Sequence, residues 1–119
     1  MKSDNQIQIK SYAFALRIVK LYRYLIEEKK EFVLSKQILR SGTSIGANVE
    51  EAIGGQTRAD FICKLAIAYK EARETHYWIR ILRGSDYISE KQAKSILKDI
   101  EDILKIVAKI QITTKKPSP

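Results

Sequence analysis

The stretch LRSGTSIGANVEEA, Leu39–Ala52, decides how the rest of the chain is read. It puts small residues where a helix core ordinarily places large ones, and it sets one amide, Asn48, amid apolar positions. Leu34, Ile38, Ser41, Ile45, Asn48 and Ala52 recur at alternating four- and three-residue steps, which mark one face of an α-helix. Gly42 and Gly46 stand one turn apart on a neighbouring face. Each interior glycine costs a helix roughly 1 kcal/mol against alanine, so an isolated helix would not carry two. The stretch therefore predicts a tight helix-on-helix contact.

Working outward, residues 1–7 are polar and read as a flexible N-terminus, and a first helix is expected over residues 8–29. Ile18, Leu21 and Leu25 form one apolar row on it; Tyr12, Ala15, Val19, Tyr22 and Ile26 form a second. Its outward face carries Lys10, Arg17, Lys20 and Arg23, a stripe that simple solvation would also explain. The second helix, over residues 35–54, opens on Ser35 as N-cap and stops at Gly54-Gly55. The third, over 58–83, follows Thr57 with Asp60 as a capping-box variant, buries Phe61, Leu65, Ala68, Ala72, Thr75, Ile79 and Leu82, and is closed by Gly84. The fourth, over 90–112, opens on the capping box Ser89–Gln92 and turns Ala93, Ile96, Leu97, Ile100, Ile103, Leu104, Val107 and Ile110 inward. Residues 113–119 hold both prolines and read as a flexible tail. Short connections favour antiparallel neighbours, so the expected fold is all-α, an up-down-up-down four-helix bundle.

At 119 residues the chain is one domain, long enough to bury a single core. Lys and Arg number 22 against 14 Asp and Glu, and the resulting charge of +8 favours polyanionic or acidic partners. The lone Cys63 excludes a disulfide framework or a cysteine-based metal knuckle. No apolar run approaches the roughly 20 residues that cross a bilayer. The opening MKSDNQIQIK lacks a signal-peptide core, so a cytoplasmic location is expected.

Gly42-Thr43-Ser44-Ile45-Gly46 matches the G-x-S-x-G nucleophile elbow, which requires a strand before the serine and a histidine and acid beside it. Here the motif lies within a helical pattern, and catalysis by Ser44 is rejected. Glu51, Glu71 and Glu74 raise a carboxylate-bridged metal pair, but the position three before His76 is Arg73, and no Glu-x-x-His forms. No cofactor is expected. Asn48, with Glu71, Glu74, Tyr77 and Trp78, instead suggests a fixed polar network in which Asn48 bonds a carboxylate or a backbone carbonyl and sets helix register. Tyr12, Tyr22, Ile62, Tyr69 and His76 lie off the main core rows, more large groups than one stripe per helix needs, and predict self-association. Arg73, Arg80 and Arg83 line one side of the third helix, while Lys91, Lys94, Lys98, Lys105 and Lys109 recur along the fourth, interrupted by Asp99 and Asp102. In a ring these stripes would be multiplied into a surface that binds phosphate with little sequence reading.

The runs LSKQILRSGTSIGANVEEA (Leu34–Ala52) and KLAIAYKEARETHYWIRIL (Lys64–Leu82), with the opening KSYAFALRIVKLYRYL, resemble the bacterial four-helix bundle family first noticed in intervening sequences of 23S ribosomal RNA genes and often labelled S23 ribosomal proteins. The resemblance implies a bundle that assembles as a homopentameric ring. It also implies a distant similarity to the accessory protein of diversity-generating retroelements, a basic pentamer that binds nucleic acid and a reverse transcriptase. It brings no catalytic residue. It marks Gln37, Arg40, Gly42, Ser44, Gly46, Asn48, Glu51, Glu74, Tyr77 and Trp78 as fold and assembly determinants.

Two functional expectations follow. One is a non-enzymatic, oligomeric module binding nucleic acid, RNA favoured over DNA, through Lys10, Arg17, Lys20, Arg23, Arg73, Arg80, Arg83, Lys98, Lys105 and Lys109. The alternative is a protein-interaction scaffold that recruits an acidic or nucleoprotein partner such as a reverse transcriptase.

Overall fold

The computed structural model describes residues 2–115, and side chains from residue 6 to residue 114. Four helices account for nearly all of it: α1 (Lys2–Glu27), α2 (Leu34–Ile53), α3 (Arg58–Gly84) and α4 (Glu90–Lys115). Each packs on its sequence neighbour, α4 closes back on α1, and no diagonal pair touches among the described residues. The result is the expected up-down-up-down bundle, an elongated body of 53 × 22 × 19 Å.

The core is built from one apolar row per helix. The rows on α3 and α4 match expectation: Leu65, Ala68, Ala72, Thr75, Ile79 and Leu82 are buried on α3, with Phe61 half-buried against them. On α4, Ala93, Ile96, Leu97, Ile100, Ile103, Val107 and Ile110 are buried and Leu104 is half-buried. On α1 the buried row starts earlier, at Ile7, and continues through Ser11, Phe14, Ile18, Leu21 and Leu25. Burial of Ile7 extends the helix upstream of the expected residue 8, so most of the stretch read as a flexible N-terminus is the first turns of α1. At the other end α4 continues through Lys115 rather than stopping at 112; residues 116–119 of the expected tail, like Met1, lie outside the described residues.

On α2 the buried face is rotated by about one residue from the sequence reading. It comprises Ser35, Ile38, Ser41, Gly42, Ile45, Val49 and Ala52, so Val49 takes the core position expected for Asn48. The cause is the glycines. A Cβ on Gly42 would stand 2.7 Å from Ile18 Cγ1 and 2.8 Å from its Cγ2, and one on Gly46 would stand 3.3 Å from the Ser11 carbonyl oxygen. Bare backbone on α2 thus lets α1 approach closely, and that draws the buried face toward α1. On its α3 side the tie is polar: the Ser41 and Thr75 hydroxyls lie 2.9 Å apart in a fully buried hydrogen-bonded pair, and Thr75 Oγ1 is also 2.7 Å from the Glu71 carbonyl oxygen.

Two of the helix ends, the start of α2 and the end of α3, are set by different residues from those expected. Ser35 is not the cap of α2. The position before the helix is Val33, which makes no side-chain cap bond. Glu31 supplies the cap instead: its carboxylate accepts from the amides of Ser35 (2.7 Å), Leu34 (3.0 Å) and Val33 (3.2 Å), while Ser35 Oγ donates to the Glu31 carbonyl (2.8 Å). Glu31 is only 8% exposed. Burial alone would push its carboxyl up, but the bonds from Leu34, Ser35 and Val33 outweigh that and hold it below the usual carboxylate range. Thr57 and the Ser89–Gln92 box cap α3 and α4 as expected, with Thr57 accepting from the Asp60 amide at 3.0 Å and the box making both of its bonds, at 2.8 and 3.1 Å. None of the described glycines has a positive φ; the left-handed positions are Lys30 (φ 53°) and Asp86 (φ 65°). Asp86, not Gly84, therefore ends α3, in a Schellman arrangement where Tyr87 N–H donates to Leu82 O (2.9 Å) and Asp86 N–H to Arg83 O (3.2 Å).

Candidate functional site

The cyclic order of the helices gives the bundle two opposed long sides, one bounded by α1 and α2 and the other by α3 and α4. They differ chemically. On the α1–α2 side Ile9 (69% exposed), Tyr12 (64%) and Leu16 (50%) run along α1 as an apolar strip. Beside it a small groove is lined by Ser11, Ala15, Thr43, Gly46, Ala47 and Glu50. The strip shares only Tyr12 with the second row read on the first helix; Ala15, Val19, Tyr22 and Ile26 of that row are half-buried. Ile62 and Tyr69, also expected off the core, are half-buried on α3, Tyr69 against the core.

The α3–α4 side is basic. Arg73, His76, Arg80 and Arg83 fall at steps of three, four and three along α3, on one edge of the helix. Across from them Lys91, Lys94, Lys98, Lys105 and Lys109 are all exposed on α4. A shallow open depression runs along the lysine row and reaches α3 at Arg83; it is lined by Arg83, Lys91, Lys94, Lys98 and Lys105, with Glu90, Glu101 and Asp102 among them. Two contacts cross it: Arg83 to Glu90 (3.5 Å) and His76 Nε2 to Glu101 Oε2 (4.0 Å). Arg80 lies over the Tyr77 ring, 5.6 Å from its centre, and Tyr77 meets Trp78 edge-on at 5.5 Å. Burial holds the His76 imidazole below its ordinary range; Arg80 adds to this, Glu101 opposes it, and Arg73 and Arg83 reinforce it.

The structure does not bring all the sequence-derived cations together. Lys10, Arg17 and Lys20 lie along the α1–α4 seam, and Arg23 is exposed farther along α1. Arg17 is engaged there: it donates to Asp99 Oδ2 (2.6 Å), Ser95 Oγ (2.7 Å) and Ser95 O (3.3 Å), bracing α1 against α4. Lys10 shares a small cavity with Asp99 and Asp102. The same aspartates that interrupt the α4 stripe thus face the α1 cations. Arg73, Arg80, Arg83, Lys98 and Lys105, with Lys91 and Lys94, form the coherent patch.

Of the two partners expected for Asn48, a carboxylate or a backbone carbonyl, the side chain takes the carbonyl, and it does so within its own helix rather than across helices. Asn48 Nδ2 donates to the Ser44 carbonyl (2.8 Å) and Ser44 Oγ to the Arg40 carbonyl (2.6 Å), both bonds within α2. Ser44 is therefore mid-helix, and the G-x-S-x-G run has no strand before it. The bridge between helices is made by Arg40, which donates to Glu71 (3.1 Å) and to Glu74 on α3, while Trp78 Nε1–H donates to Glu74 at 2.9 Å. The Trp78 bond and Arg40 together outweigh burial and hold the Glu74 carboxyl below its usual range. Glu51 pairs with Lys64 (3.4 Å) across the same seam, and Gln37 is exposed. No helix among the described residues is long and apolar enough to cross a membrane.

Comparison with known proteins agrees with this architecture. None of the curated proteins matches the chain. A crystal structure at 1.70 Å resolution, of a protein of unknown function from the S23 ribosomal protein family of Bacteroides thetaiotaomicron VPI-5482, superposes with a TM-score of 0.92. It is 55% identical over 92% of this chain and 98% of its own. The model of the 23S rRNA-intervening sequence protein family matches residues 3–109, and the chain belongs to that family.

Proposed function

We propose that the chain is a non-enzymatic, oligomeric nucleic-acid-binding module that docks its α3–α4 side on phosphate backbones, with RNA favoured over DNA. The observation that carries this reading is the pair of cationic rows, Arg73, Arg80 and Arg83 along one edge of α3 and Lys91, Lys94, Lys98 and Lys105 exposed on α4, of which Arg83 and the four lysines line one open depression. Flexible lysines and forked guanidiniums on straight helices suit repeated phosphate contacts better than reading of base edges. The opposed apolar strip at Ile9, Tyr12 and Leu16 supports assembly of copies through the α1–α2 side, which would leave the basic side outward. Ring formation and the number five rest on the family resemblance.

The test is fluorescence anisotropy of a labelled RNA hairpin across a salt series, with light scattering on the same sample. The expected result is log K falling linearly with log salt, and each of Arg80→Ala, Lys98→Ala and Lys105→Ala reducing the slope by about 1. A ring-sized particle that ignores the hairpin at low salt overturns the reading. That outcome would favour the scaffold alternative, in which the apolar strip, which has no chemistry for phosphate, captures a protein partner.

A further inference from the structure

We infer that docking of a polyanion on the α3–α4 side is coupled to uptake of a proton by His76, so that the surface binds phosphate more tightly in mildly acid solution. This rests on the functional reading above and assigns a regulatory group within that site.

His76 occupies the middle of the arginine row, three residues after Arg73, four before Arg80 and seven before Arg83. It is 25% exposed and directed toward α4, where Glu101 Oε2 stands 4.0 Å from Nε2, too far for a hydrogen bond. The other charges on that side belong to α4: Lys91, Lys94, Lys98 and Lys105, with Glu90 at the start of the helix and Asp102 beside Glu101. The Arg40–Glu71–Glu74 cluster lies on the α2 side of α3. His76 thus sits among arginines and lysines with one carboxylate near it, and in the free protein that excess opposes a further positive charge. A phosphate chain laid across the same rows supplies several negative charges within reach of the imidazole and reverses the balance. Binding then favours the imidazolium, and by linkage the imidazolium favours binding. His76 is the only histidine in the chain, so it is the one side chain with an ordinary range between pH 5 and 8.

The experiment measures affinity for the same RNA hairpin at fixed salt from about pH 8 down to about pH 5.5, a range in which an ordinary imidazole titrates and ordinary carboxylates stay ionised. Wild-type affinity should rise as pH falls, by up to about tenfold per pH unit for each histidine engaged. His76→Gln should bind as wild type does at the alkaline end and lose the rise; His76→Arg should bind tightly throughout. Binding by the wild type with no pH dependence overturns the inference and leaves the phosphate-docking reading standing. No binding at any pH overturns both. A nuclear magnetic resonance titration of the wild-type His76 ring, with and without the hairpin, decides the matter even if the variants fold poorly: bound RNA should raise its titration midpoint, and an unmoved midpoint overturns the inference.

Discussion

Substituting Gly42 by alanine tests whether α1 and α2 approach as closely as the structure shows. On helix propensity alone the change should stabilise α2 by roughly 1 kcal/mol. The new methyl, however, would meet Ile18 Cγ1 at 2.7 Å and Cγ2 at 2.8 Å. Ile18 is fully buried, and both branches at its Cβ crowd the site, so rotating the side chain only exchanges one γ-carbon for the other. Either α1 moves away or the pair is strained, and overpacking of this kind costs about 1–3 kcal/mol. The gain offsets part of the cost, and the net expectation is a loss of about 0–2 kcal/mol, whereas Gly84→Ala, whose Cβ meets nothing within 4 Å, should be neutral or gain a few tenths. The assay is urea unfolding followed by circular dichroism at one protein concentration, which holds constant any contribution that self-association would make. A double-mutant cycle sharpens it: Ile18→Ala should cost less in the Gly42→Ala background than in the wild type, while Ile18→Val, which keeps both γ-carbons, should bring no relief. A Gly42→Ala protein more stable than the wild type would refute the close-contact argument.

Three further outcomes are expected. Glu31→Ala should lower stability by about 1–2 kcal/mol, because three amides at the start of α2 lose their acceptor, and an unchanged thermal melt would contradict the capping role. Stability should fall as pH drops. His76 is held below its ordinary value in the folded chain, so the unfolded chain takes up a proton first and loss begins near pH 6.5; Glu31 and Glu74 are likewise depressed, and their contributions, complete above about pH 4.5, vanish as pH falls through their folded values. Denaturant midpoints across that range that rise toward acid would reverse the sign. Finally, Lys30→Gly and Asp86→Gly should each be neutral or raise stability by up to about 1 kcal/mol, the strain of a left-handed side-chain-bearing residue, as read from urea midpoints.

The fold was legible where residues that can be buried, large or small, recur at helical spacing along one face. Leu65 to Leu82 and Ala93 to Ile110 declare their buried faces by spacing alone. α2 was harder because Ser35, Ser41 and Gly42 are buried without being hydrophobic, so periodicity could not distinguish a face centred on Asn48 from one centred on Val49. Whether Gly42 is an opening or a weakness depends on Ile18, a residue from another helix. Helix ends were misread for a related reason: glycine is the usual left-handed residue, yet here Lys30 and Asp86 occupy that conformation. In the candidate site the cations were visible, but their grouping was not. The sequence cannot show that Arg17 faces Asp99 across 82 positions or that Arg40 bridges to α3, and only the cyclic order of helices separates the α1 stripe from the α3–α4 patch.

The seams of the bundle are unequal. α2 is fastened to α1 at the bare glycines and to α3 by the buried Ser41–Thr75 pair and the Arg40 bridge. α4 meets α1 along the shortest line of contact, where Arg17 makes a partly solvated tie. A body joined in this way opens along a grain. Hydrogen exchange is expected to run faster at the backbone amides of α4, through partial opening, than at those at the centre of α2. A ligand laid across α3 and α4 would bind the least firmly held helix to one of the most firmly held, and would slow exchange in α4 far beyond the residues it touches.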